Sequence, residues 1–126
     1  MGKKESILRD KSYKFAIRIV KFSQYLQEEK KEFVLSKQIL RSGTSIGALI
    51  REAEYAQSNA DFINKFSISL KEANETAYWL SLLKDTDYIE KRLYNSLFSD
   101  CDEIISMLVS TIKTLKTKPS KSTLNS

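Results

Sequence analysis

Residues 38–53 read Gln38-Ile39-Leu40-Arg41-Ser42-Gly43-Thr44-Ser45-Ile46-Gly47-Ala48-Leu49-Ile50-Arg51-Glu52-Ala53. Apolar side chains at Ile39, Ile46, Leu49, Ile50 and Ala53 recur at helical spacing. Gly43 and Gly47 interrupt the pattern four residues apart. A glycine in a helix interior costs about 1 kcal/mol relative to alanine. Two on one face therefore predict the close approach of a neighbouring backbone. The spacing also matches the small-residue motif of membrane helix dimers, but the chain has no run of eighteen apolar residues, so tight packing between non-membrane helices is the expected use. This helix is expected to be the central one, with the others laid against its glycine face.

Upstream, Phe15, Ile19, Phe22 and Leu26 step by four, three and four, with Ala16, Ile17 and Val20 widening the apolar face. Lys11, Lys14, Arg18 and Lys21 step along what is expected to be the opposite, outer face. Downstream, Phe62, Phe66, Leu70, Ala73, Ala77 and Leu80 repeat at helical spacing, after Ser58 and Asn59 as N-cap candidates. Asp61 follows Ser58 by three residues, partly in the manner of a capping box. Asp87 and Glu90 mark a fourth start, and Leu93, Leu97, Ile104, Met107, Leu108, Ile112 and Leu115 follow. The predicted helices cover about 10–29, 35–57, 60–84 and 88–116. Residues 1–116 form one all-α domain, and 117–126 read as a disordered basic tail with Pro119 as the stop. Four long helices on short connections predict an antiparallel up-down four-helix bundle.

Composition supports this class. The 126 residues include three glycines and one proline, too few for the turns of a sheet protein. There is no histidine, which removes the commonest general base and transition-metal ligand. A Ser-His-Asp or Cys-His site is thus excluded, as is a di-iron bundle built on Glu-x-x-His pairs. One cysteine, Cys101, flanked by Asp100 and Asp102, forms no internal disulfide and is expected to be an unreactive packing residue. A reducing, cytoplasmic compartment is the expected location. No metal, no cofactor and no catalytic residue are predicted.

The net charge of +5 is unevenly placed. Residues 1–37 carry +5, residues 38–112 carry −4 and residues 113–126 carry +4. The positive excess sits at the two ends of the chain, around an acidic middle.

Two segments carry a family resemblance: Arg41-Ser42-Gly43-Thr44-Ser45-Ile46-Gly47 with Arg51-Glu52-Ala53, and Ala60-Asp61-Phe62-Ile63-Asn64-Lys65-Phe66 continuing through Ser69-Leu70-Lys71-Glu72-Ala73-Asn74-Glu75-Thr76 to Tyr78-Trp79-Leu80. Together they resemble the bacterial four-helix-bundle proteins first noticed as products of 23S ribosomal RNA intervening sequences. The resemblance covers most of residues 10–110. It implies a left-handed up-down bundle assembled as a ring-like homopentamer. Related accessory proteins of diversity-generating retroelements share that shape, carry basic surfaces, and bind nucleic acid and a reverse transcriptase. Many members have Asn at the position of Leu49 and Glu-Gly in place of Glu52-Ala53. The family supplies no catalytic residues.

The candidate functional residues follow. Lys11, Lys14, Arg18 and Lys21, with Lys113, Lys116, Lys118 and Lys121, are the expected nucleic-acid contacts, because regularly spaced cations displace counterions from a polyanion. RNA is favoured over DNA, and recognition is expected to follow shape and charge, since no base-stacking motif stands out. Arg41, Glu52, Glu72 and Glu75 are expected to form a structural ion-pair network, with Arg41 bonded to Glu72 or Glu75. Gly43 and Gly47 are the close-packing positions. The expected function is a non-enzymatic, homo-oligomeric scaffold that binds nucleic acid. The alternative is an interaction module whose partner is a protein, such as a polymerase, with no direct nucleic-acid contact and no membrane.

Overall fold

The computed structural model describes residues 2–117. Four helices account for nearly all of them: α1 Lys3–Glu28, α2 Leu35–Ala53, α3 Asn59–Asp85 and α4 Lys91–Thr117, with no strand among the described residues. Each helix packs on its neighbours in the chain, and α4 closes on α1. The backbones of α1 and α3, and of α2 and α4, face each other diagonally across the core without approaching as closely. This is a four-helix bundle around one core.

Tertiary partners run in opposed senses between adjacent helices. Ser12 and Ile19 of α1 lie against Gly47 and Gly43 of α2. Ser69 and Thr76 of α3 donate to the Ile46 carbonyl and to Ser42 of α2, at 2.9 Å each. Small and hydroxylic residues thus occupy the α1–α2 and α2–α3 crossings, where bulk would hold the helices apart. Phe15, Ile19, Ile39, Ile46, Phe66, Leu80, Leu97 and Ile104 fill the interior, each at most 1% exposed.

The helix ends differ from expectation in three places. The first helix begins at Lys3, not near residue 10. Leu8, fully buried, extends the Phe15 seam back by seven residues and anchors two more turns. Helix α2 stops at Ala53, and the chain tightens into bonds from Glu54, Tyr55 and Ala56 to the carbonyls three residues earlier. Helix α4 begins at Lys91, because Asp87 adopts φ 66° and turns the chain out of helical geometry. The start of α3 matches its signal: Ser58 Oγ accepts from the Asp61 amide at 3.1 Å, and Asp61 reaches back to the Gln57 amide at 3.3 Å. No helix is long and apolar enough to cross a membrane among the described residues.

Candidate functional site

The basic stripe does not lie on the free outer face of α1. Positions 11 and 18 are seven residues apart, so they share one line on the helix, and that line faces α4. Lys11 Nζ lies 2.7 Å from Glu103, and Arg18 binds Asp100 at 2.5 Å and Ser96 at 3.0 Å. Lys14 and Lys21 are more exposed and form no ion pair among the described residues, although Lys14 shares a recess with Asp100 and Glu103 and Lys21 one with Glu90. Two of the four cations are therefore answered by acids on α4. Periodicity placed the four on one side of α1; it carried no information on which helix would face them.

The outward face is apolar instead. Tyr13, Ile17 and Val20 are 62%, 43% and 38% exposed, so Ile17 and Val20 do not widen the core face as expected. Their strip continues over Ala16 to Gly47 and Ala48 of α2.

The first turn of α1 and the last turns of α4 lie at one pole of the bundle. Lys4 Nζ donates to Ser110 Oγ at 2.5 Å, joining the first turn of α1 to the last turns of α4. Lys3, Lys4, Lys113 and Lys116 are exposed there, and none has an ion-pair partner among the described residues. Lys3 and Lys4 lie ahead of the helix start expected near residue 10, in the turns that the buried Leu8 anchors. Lys118 and Lys121 lie outside the described residues.

Of the expected ion-pair network, three members come together and one does not. Arg41 bonds Glu72 at 2.9 Å and also Glu75, and both carboxylates are on α3. The Glu75 bond raises the Arg41 pKa; partial burial opposes this, and Glu72 adds to the rise. Glu52 lies eleven residues along α2, about 16 Å away at the helical rise. It approaches Lys65 instead, at 3.9 Å. Gly43 and Gly47 both face α1: a Cβ at Gly43 would come 2.8 Å from Ile19, and one at Gly47 would come 3.3 Å from Ser12.

Cys101 is fully buried and donates to the Ala73 carbonyl at 3.3 Å. Burial first, then Asp102 and Asp100, push its thiol up to about 12. A thiol so placed is not a nucleophile at neutral pH. No cluster of metal-ligating side chains occurs among the described residues.

One recess was not anticipated. Between the C-terminal half of α1 and the start of α4 lies a groove of about 440 Å³, walled by Arg18, Lys21, Phe22, Tyr25, Leu93 and Leu97. Glu90 stands at its edge.

These features define a helical-bundle protein with a cationic pole, an apolar outer strip and a groove between its first and last helices. The chain belongs to the family described as 23S rRNA-intervening sequence protein, which matches residues 4–110. It is also similar to a crystal structure from Bacteroides thetaiotaomicron, of a protein with unknown function from the S23 ribosomal protein family. The two share 61% sequence identity at a TM-score of 0.86, over 87% of this chain and 98% of that one. No curated protein matches.

Proposed function

We propose that this chain is a non-enzymatic scaffold that self-associates, as a homopentamer, and binds nucleic acid, RNA in the first instance, through its basic pole. The observation that carries the reading is the bond from Lys4 to Ser110, which sets the exposed Lys3 and Lys4 at the same end of the bundle as the exposed Lys113 and Lys116. A polyanion laid there releases counterions from every phosphate it presents. Self-association multiplies the field, since each copy repeats the pole. Lys14 and Lys21 extend the cationic path along α1. The lack of histidine, and the engagement of Arg41 by both α3 carboxylates, support a non-enzymatic role.

A salt series of RNA filter binding tests this. Single-stranded RNA is retained at low salt, and its affinity falls steeply as salt rises. Replacing Lys3, Lys4, Lys113 and Lys116 by Gln flattens that dependence by roughly 0.7 in log–log slope for each phosphate no longer neutralised. No retention at low salt overturns the reading.

A second reading, an interaction module for a protein partner with no direct nucleic-acid contact, is favoured by the exposed strip of Tyr13, Ile17 and Val20. Binding that survives in a nucleic-acid-free preparation, together with no RNA retention, selects it.

A further inference from the structure

Helices α1 and α4 pack less extensively than the other three adjacent pairs. Long side chains cross their seam: Lys4, Lys11 and Arg18 each reach a partner on α4. Beyond Arg18 the seam opens into the groove. Phe22 and Tyr25 form its aromatic wall, with ring centroids 6.4 Å apart and planes 21° from parallel. Phe22 is buried at 4% exposed, whereas Tyr25 is 39% exposed. Leu93 and Leu97 of α4 supply an apolar wall. Lys21, which forms no ion pair among the described residues, supplies the free positive charge; Arg18 is paired with Asp100, and Glu90 supplies a hydrogen-bond acceptor. The volume lies within the range of about 300–1,000 Å³ usual for small-ligand sites.

We propose that this groove is a subsite for one unstacked nucleobase of a single-stranded polynucleotide. It rests on the reading of the chain as a nucleic-acid binder and deepens it. Tyr25, already backed by a near-parallel ring, presents an aromatic surface on which a base stacks. Lys21 meets an adjoining phosphate, while Arg18 remains bonded to Asp100 and Ser96. Glu90 accepts from an exocyclic amino group or a ribose hydroxyl. An acidic side chain would answer Lys21 but offers no ring to lie on Tyr25 and no donor to Glu90. A base in a duplex is stacked on both faces and does not enter, so the groove selects single strands. It lies towards the opposite end of α1 from Lys3 and Lys4, so the two contacts are separable by mutation.

The test uses the full chain and a short RNA carrying a central 2-aminopurine, alone and annealed to its complement. The single strand binds at least about ten-fold more tightly than the duplex, and the fluorescence of the 2-aminopurine is quenched on binding. Tyr25→Ala weakens single-strand binding roughly five- to a hundred-fold and leaves duplex binding unchanged. Tyr25→Phe retains both, and Lys21→Gln lowers the salt slope by about 0.7. Equal binding of the two RNAs, insensitive to Tyr25→Ala, overturns the subsite while the basic pole stands. Failure to bind either RNA overturns both.

Discussion

Gly43 of α2 lies so close to Ile19 of α1 that a Cβ added to it would stand 2.8 Å from Ile19 Cγ2 and 3.0 Å from Cγ1. Ile19 is fully buried and β-branched, so it has little freedom to turn aside. Gly43→Ala gains about 1 kcal/mol of helix propensity. Overpacking against Ile19 costs about 1–3 kcal/mol. A net loss of stability is expected. At Gly47 the nearest atoms are Ser12 Oγ at 3.3 Å and the Ser12 backbone C and O at 3.4 Å, close to ordinary contact, so only a few tenths of an ångström must give. Gly47→Ala is expected within about 0.5 kcal/mol of the parent, where propensity and crowding offset each other. Urea denaturation of both variants checks the order. Gly43→Ala proving the more stable of the two would refute the close-packing argument.

The ion pairs predict a pattern of coupling. Arg41 and Glu75 are both substantially exposed, so a double-mutant cycle between them is expected to give about 0.3–1 kcal/mol. Glu72 is only 16% exposed, and its removal leaves Arg41 with one carboxylate. The cycle between Arg41 and Glu52 is expected to give nothing measurable, since Glu52 is directed to Lys65. A coupling of more than about 0.5 kcal/mol there would restore the four-residue network.

The α4 acids set the charge of the α1 stripe. Asp100→Asn with Glu103→Gln releases Arg18 and Lys11 from their partners. RNA affinity at low salt is expected to rise several-fold, and the salt slope to steepen by up to roughly 1.4, if both cations then reach phosphates. An unchanged slope would mean that the seam stays closed to the polyanion.

Cys101 links stability to alkaline pH. Its thiol ionises near 9 in an ordinary environment and at about 12 in the fold. Between those values the native thiol stays neutral while the unfolded thiolate forms, so the unfolded state binds fewer protons. The contribution of Cys101 is therefore intact below pH 9 and is lost as pH rises towards 12, with a slope approaching about 1.4 kcal/mol per pH unit. Cys101→Ala is expected to lack this component in urea titrations at stepped pH. Iodoacetamide at pH 8 is expected to leave the native thiol unmodified and to label it once urea unfolds the chain.

Where the sequence was informative, one-dimensional spacing was enough. The 3.6-residue repeats of α2, α3 and α4, the Ser58 cap and the reach of Arg41 to α3 all follow from which residues share a face. Where it was not, the missing quantity was the identity of the facing helix. Ile17 and Val20 look like core beside Phe15 and Ile19, yet they stand just past the edge of the buried arc. Lys11 and Arg18 look free until Glu103 and Asp100, more than eighty residues away in the chain, are set opposite them. Lys3 and Lys4 belong to α1 because Leu8, seven residues before Phe15, continues its buried seam, a signal that the polar residues around it mask. The α1–α4 groove depends on how far two helices splay, which no periodicity encodes.

The bond between Lys4 and Ser110 also bears on how the protein is handled. Any affinity tag or fluorescent fusion, whether joined ahead of residue 3 or behind residue 117, hangs over the same lysine-rich surface. An acidic tag at either terminus would compete with a polyanion for that surface, so a tag-free preparation is the proper reference. Conversely, a short engineered linker between those neighbouring ends, with new termini opened in the α2–α3 connection, would give a permuted chain whose lysine surface carries no loose end.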